Sequence, residues 1–383
     1  MANKLTTLKW KHYINYIGVA IFTVIFTVMS LIGKTDSSDL YLLEKIAIAI
    51  MLAVSLSLVV GFLGELSLGH AGFMCIGAYL GGKTALLLEP MLGNKLLTLI
   101  ISVIVGGLIA ALCGVIIGLP ALRLRGDYLA IVTLAFGEIV RSLFMNSSDK
   151  SFGGTLGLST PRYDKNTLFI IAFVLVLGCL AVTQNLIRSK HGRAITSIRD
   201  NEIAARATGI NVTKYKLLVF TVSSFFAGVA GVLYSFSNFT VQSTKFSYNY
   251  SIEILVMVVL GGMGNISGSI IAATLITFLD VKLQTILTGN LAVLQDLFYA
   301  LILIVLVIYN NAPALKSFRE KYNLKNLLAI IKKSGSKTDP SAIRDDEHKW
   351  DRVPTKIEMD EVLSVDMQPG SPHTPDKPEK EEK

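Results

Sequence analysis

Several residue sets in this chain have types and spacings that could do chemistry. The stretch 77–84, Gly77-Ala-Tyr-Leu-Gly-Gly82-Lys83-Thr84, matches G-x-x-x-x-G-K-[ST]. That pattern cradles nucleotide phosphates when a strand feeds the loop and a soluble helix leaves it. Here it lies inside an Ala/Gly-rich apolar segment, and the strand-like 275–280 ending in Asp280 runs straight on into further apolar sequence. No ATPase site is expected, and no nucleotide is expected to bind this chain. Ser67 and His70 stand in a second set, Gly61-Phe-Leu-Gly64-Glu65-Leu-Ser67-Leu-Gly69-His70-Ala-Gly72. Glycines at this density allow helices to approach closely or to break. A broken helix is tolerable in a membrane only against protein or a wet cavity. Either Ser67 and His70 line a path for a polar solute, or the segment is a packing interface with His70 hydrogen-bonded internally. A third set, Gly261-Gly262-Met-Gly264-Asn265-Ile-Ser267-Gly268, repeats the form G-x-x-G-x-(Leu/Ile)-Ser two hundred residues later.

Glu138, Asp280 and Asp296 lie within apolar runs, where a charge costs about 3 kcal/mol on insertion scales. Arg141 is one helical turn beyond Glu138 and could pair with it. Such groups mark either polar pathways or structural ion pairs. No Ser/His/Asp set, metal-ligand cluster or H-E-x-x-H spacing is present in the sequence, so catalytic and metal-binding residues are both read as none. Cys75, Cys113 and Cys179 all lie in apolar runs without pair spacing and read as small core hydrophobes.

The elements that must position these residues are membrane helices. Of 383 residues, 52% are hydrophobic and only 17% charged, with a mean hydropathy of +0.56. The pattern predicts an all-α, polytopic membrane protein with about ten transmembrane or re-entrant helices. They fall near 13–33, 42–63, 66–88, 96–119, 127–145, 168–187, 216–237, 252–263, 268–288 and 291–309. The first reads as a retained anchor, since no cleavage site follows it. The eighth is too short to cross alone. The repeated glycine form hints at two five-helix halves, although both breaks fall on one side of the expected topology.

Charge fixes the orientation. With an even number of crossings before it, the basic segment 188–216 lands on the same side as Lys4, Lys9, Lys11, Arg123, Arg125 and the lysines beyond residue 315. That side is expected to be cytosolic, with both termini there. The net charge of +8 then reflects topology and anionic lipid, not nucleic acid. The expected layout is a cytosolic N-terminus (1–12), a permease domain (13–310), a basic amphipathic surface segment (311–333) and a proline-bearing, disordered cytosolic tail (334–383).

The segment 188–215 is the most informative part. It carries Arg188, Lys190, Arg193, Arg199, Arg206 and Lys214, with Lys216 following at its end. Asp200 and Asn201 read as helix caps, Glu202 as a first-turn acid and Gly209 as a stop. Ile203, Ala204 and Ala207 give this short helix a small, greasy face fit for docking on a partner.

Taken in order, these segments resemble the M-type permease of the paired permeases in branched-chain amino acid ABC importers. The resemblance is carried by Gly64-Glu-Leu-Ser-Leu-Gly-His-Ala71, Tyr128-Leu-Ala-Ile-Val-Thr-Leu-Ala-Phe-Gly-Glu-Ile-Val-Arg141, Gly153-Gly-Thr-Leu-Gly-Leu158, Gly192-Arg-Ala194, Ile198-Arg-Asp-Asn-Glu-Ile-Ala-Ala205, Gly209-Ile-Asn-Val-Thr-Lys-Tyr-Lys216 and Leu260-Gly-Gly-Met-Gly264. It covers roughly residues 40–310 and implies a cytosolic loop docking on an ATPase through Gly192, Arg193, Arg199, Asp200, Glu202, Ala204, Ala205 and Gly209. It also implies two ABC ATPase subunits that bind the ATP, a second permease, an external amino-acid-binding protein and a bacterial cell (inner) membrane location. The pathway is expected at Gly64, Ser67, Gly69, His70, Glu138, Gly261, Gly262, Gly264, Asn265 and Ser267. The same machinery with urea or short amides as cargo, or a self-sufficient transporter or channel, are the competing readings. The tail departs from the family pattern, and nothing is carried onto it.

Overall fold

The computed structural model describes residues 15–27 and 37–286, apart from 123, 125 and 162, together with isolated helical positions at 297, 300, 301, 304 and 308. Among the described residues seven helices are long and apolar enough to cross a membrane. They are α2 (Ser37–Ser57, continued by a π-helical stretch Leu58–Leu63), α3 (His70–Leu92), α4 (Lys95–Ala121), α5 (Asp127–Met145), α7 (Lys165–Arg188), α10 (Val212–Ser237) and α12 (Ile266–Ile286). The apolar helices α1 (Asn15–Thr27) and α11 (Tyr248–Gly261) are shorter. The remainder are α6 (Asp149–Phe152), α8 (Lys190–Asp200) and α9 (Glu202–Ala207). This is the polytopic helical architecture the sequence predicts. A two-residue antiparallel pairing, β1 (Leu158–Ser159) with β2 (Thr240–Val241), is the one addition to it among the described residues. Asp296, most of the tenth expected span, the N-terminus 1–12, the surface segment 311–333 and the tail lie outside the described residues.

Two helices form the axis of the bundle. Nearly the whole membrane window of α2 is buried (94%), and it touches α7, α10, α11 and α12. α10 packs most extensively on α3 and α4. Hydropathy alone does not distinguish centre from rim: α4 is at least as apolar as α2, yet only a third of its window is buried. Its Ile100, Ile104, Leu108, Leu112 and Ile116 are exposed at helical spacing. In water such a face would demand cover; among lipid tails it needs none.

What joins the central helices is backbone proximity. A β-carbon added at Gly77 of α3 would lie 2.0 Å from the Gly228 carbonyl of α10, and one at Gly231 would lie 2.0 Å from the Met74 carbonyl. Gly77 therefore serves helix packing. The whole 77–84 stretch is continuous helix, so its N–H groups are spent on the helical ladder instead of facing a phosphate. Tyr79, fully buried, donates to the Val241 carbonyl (3.0 Å) and stacks on Phe144 at 4.3 Å. It thereby ties α3 to both α5 and the β1–β2 pairing.

The spans expected at 66–88 and 252–263 differ in one informative way. Residues 64–69 are not helical, so α3 starts at His70 and runs on to Leu92. α11 stops at Gly261 because Gly262 turns at φ 90°. We expect Gly77→Ala to cost about 1–3 kcal/mol or more through overpacking against immovable backbone. Gly178→Ala in α7, with nothing within 4 Å, should be neutral or stabilising. Thermal melts of the two purified variants in detergent check this.

Candidate coupling site

Between α7 and α10 the chain makes two short helices at one end of the bundle. Ser189 ends α7 and caps α8, its hydroxyl accepting from the His191 and Gly192 N–H groups (3.1 and 3.3 Å). The turn is tight, since a β-carbon at Gly192 would sit 1.8 Å from the Ile187 carbonyl. α8 buries Ile195 and Ile198 and leaves Arg193, Arg199 and Asp200 exposed. Sequence reasoning expects one helix capped at Asp200 or Asn201; the structure has two. Asp200 is the last residue of α8, and Asn201 alone caps α9, its extended backbone (φ −158°) letting Oδ1 accept from Ile203 and Ala204 N–H at 3.0 Å. α9 ends as its sequence predicts: Gly209 adopts φ 84°, and Ile210 N–H reaches the Ala205 carbonyl (3.1 Å).

Within α9 the faces divide sharply. Ala205 is 3% exposed and Ile203 73% exposed, with Ala204 and Ala207 also exposed beside Ile203. Ala205 therefore faces the bundle, while the Ile203–Ala204–Ala207 face is open.

Two anchors hold α8 and α9 to the membrane helices, and both end on the glycine break after α2. The Lys216 ammonium at the start of α10 is 3% exposed and pairs with Glu65 and, at 3.1 Å, with Glu202. Glu202 is shared, its other oxygen accepting from Arg206 at 2.6 Å. Arg199 donates to the Gly61 carbonyl (3.2 Å) and also pairs with Asp200 (3.0 Å). Gly64, at φ 79°, has to be glycine twice over: a β-carbon there would lie 2.6 Å from the Arg199 stem. Glu65 and Lys216 are absent from the coupling and pathway residues expected from sequence, although Lys216 counts there among the bases of the segment. The available signal was one acid between two glycines and one base at the mouth of an apolar run.

The two glycine breaks, two hundred residues apart in sequence, touch each other. A β-carbon at Gly61 would lie 2.5 Å from the Gly264 nitrogen. Gly262 and Gly264 both take positive φ, and Gly261 is packed on Gly268. Asn265 Oδ1 accepts from Gly268 N–H (3.3 Å), while Ser267 donates to Asn15 of α1 (2.7 Å).

Residues around Gly69 close the first break on the protein side. Leu68 N–H donates to Thr133 of α5 (3.0 Å) and Ala71 N–H to Ser251 of α11 (3.1 Å), so backbone groups freed by the break are satisfied. A β-carbon at Gly69 would meet the Thr133 carbonyl at 2.8 Å. His70 is buried, its Nε2 2.8 Å from Ser55 Oγ, an internal hydrogen bond within the bundle. Ser67 Oγ is buried and has no hydrogen-bond partner among the described residues. Glu138 pairs with Arg141 (2.7 Å) and accepts from Tyr248 N–H (2.9 Å), so its carboxylate joins α5 to the first turn of α11. The structure thus brings Arg199, Glu202, Gly64 and the second glycine break together, and engages Glu138 and His70 in joints between helices.

Removing Lys216 leaves two carboxylates at its site, one of them largely buried. Lys216→Met should cost about 3–5 kcal/mol, and adding Glu65→Gln to it should recover part of that loss. Equal melting temperatures for the single and double variants would contradict this.

Comparison with known proteins supplies the context for this geometry. The family described as the branched-chain amino acid transport system permease component matches residues 40–309. The high-affinity branched-chain amino acid transport system permease protein LivM of Salmonella typhimurium is 38% identical over 261 residues, which is 60% of this chain and 60% of that relative. LivM of Escherichia coli is 33% identical over 353 residues, 84% of this chain and 78% of the relative. The ribose import permease protein RbsC of Escherichia coli is 26% identical over 294 residues. No solved structure matches the chain. With the family match running through α2 to α12 and both glycine breaks, the chain belongs to the branched-chain amino acid transport system permease family and is a multi-pass membrane protein.

Proposed function

We propose that this chain is the membrane-spanning subunit of a binding-protein-dependent ABC importer for leucine, isoleucine or valine in a bacterial cell (inner) membrane. Two cytosolic ATPase subunits bind and hydrolyse the ATP, a second permease completes the pathway, and an external amino-acid-binding protein delivers the cargo. The observation that carries this reading is the division of α9: Ile203, Ala204 and Ala207 are open to a partner while Glu202 is held by a buried lysine. A helix free on one face and anchored on the other transmits a push as a rigid body.

The geometry gives the push a route. Displacing α9 moves Glu202, and separating it from Lys216 is costly in a low-dielectric site. Lys216 in turn holds Glu65, next to Gly64. Arg199 pulls on the Gly61 carbonyl in parallel. Gly64, Gly262 and Gly264 have backbone conformations that permit pivoting where α2 and α11 end. The helices that begin or end at these glycines, α2, α3, α11 and α12, are therefore the ones that a motor on α9 would rock. The positive charge clustered at this end favours a cytosolic location for it, where such a motor resides.

The docking surface is tested by Ile203→Glu. Because Ile203 is 73% exposed, the substitution should leave the melting temperature of the purified chain unchanged. It should abolish co-purification of the ATPase subunits and reduce leucine uptake by about a hundredfold or more, the scale of a lost interface anchor. Retention of the ATPase at wild-type levels would sink the proposal.

A further inference from the structure

A second site lies at the opposite end of these helices from the glycine junction. A cavity of about 400 Å³ is enclosed by α2, α3, α10, α11, α12 and the Ser243–Phe246 turn, a volume suited to a small molecule. Three helices each turn one stripe into it: residues 41, 45, 48 and 49 of α2; 250, 253 and 257 of α11; 277, 280 and 284 of α12. Helical spacing of i, i+3 or i+4 and i+7 makes each set a single face.

The stripes are graded. Nearest the helix ends they carry Lys45, Glu253 and Asp280, and Lys245 of the Ser243–Phe246 turn adds a second base. Deeper along the same faces the walls are Ile48, Ala49 and Met257, joined by Met74 of α3, all at most 4% exposed. Between the two zones is Thr277, 8% exposed, whose Oγ1 has no hydrogen-bond partner among the described residues. A buried hydroxyl left without a partner on a cavity wall is a group that a ligand would satisfy.

We infer that this cavity binds a zwitterionic α-amino acid with an aliphatic side chain, within one permease chain. The ligand's ammonium is recognised by Glu253 and Asp280, its carboxylate by Lys45 and Lys245, and its side chain occupies the apolar floor. Charge-assisted bonds of both signs at the mouth select for the zwitterion. The floor has no charged group to accept a polar side chain. The inference uses the proposed cargo only for the choice of probe, L-leucine.

The test is equilibrium binding of tritiated L-leucine to the full-length chain in phosphatidylethanolamine/phosphatidylglycerol nanodiscs. Isocaproate, which is leucine without its ammonium, and isoamylamine, which lacks the carboxylate, should each compete at least about tenfold more weakly than unlabelled leucine. Glu253→Gln and Asp280→Asn should each weaken leucine binding about tenfold. Lys245→Met, at an exposed position, should do the same, so the test survives misfolding of the other variants. Ala49→Phe, which fills the floor, should remove binding. Isocaproate competing as well as leucine, Lys245→Met binding as wild type does, or leucine uptake by a complex whose chain binds none would each overturn the inference. Cavity-dependent leucine binding in a chain that supports no leucine uptake would uphold this site and count against the transport proposal alone.

Discussion

A lysine ammonium buried in the bundle is the constraint on which this structure turns. Lys216 is nearly inaccessible, and an ammonium so placed has to be compensated nearby. Its two carboxylates come from unrelated places: Glu65, 151 residues away on the break after α2, and Glu202, 14 residues away on α9. Satisfying one charge therefore fixes three segments against each other. The position of Arg199 over Gly64, and the need for a residue without a side chain there, belong to the same joint.

The rest of the fold answers a different demand. Inside a bilayer apolar burial gives helices little reason to associate, so contact has to come from close backbone approach and satisfied polar groups. Gly77, Gly228 and Gly231 supply the first in α3 and α10. Thr133 and Ser251 supply the second by closing the N–H groups at the start of α3. The two breaks are thus affordable only because they meet each other and neighbouring helices. A path for solute does not require those same residues to be its lining, and the charged cavity at the other end of α2, α11 and α12 has the chemistry that the glycine junction lacks.

Much of this was legible before any coordinates. The placement of the long apolar helices follows from apolar run length, and both breaks follow from glycine density. Gly209 and Asn201 announce the ends of α9 by residue type. The open face at Ile203, Ala204 and Ala207 is readable from helical spacing, although the inward turn of Ala205 is not, because a six-residue helix offers no second turn to fix its phase. Lys216 and Glu65 were not expected as site residues, for a physical reason. In sequence Lys216 is the last of a run of exposed bases, and only tertiary packing makes it the buried one. Glu138 and His70 read as pathway groups because a charge or an imidazole in an apolar run implies a polar partner; the sequence is silent on whether that partner is solute, Arg141 or Ser55. The cavity charges lay scattered over four elements whose convergence no local pattern records.

The central claim is that α9 and the glycine junction move as one body through Lys216. Spin labels at Thr208→Cys and Met263→Cys, both exposed positions, read their separation by pulsed electron resonance in the assembled complex. The account predicts one narrow distance distribution, unchanged between nucleotide-free and vanadate-trapped states, that broadens when Lys216 is replaced by methionine. A separation that shifts on trapping while Lys216 is intact, or one that stays narrow in Lys216→Met, would contradict it.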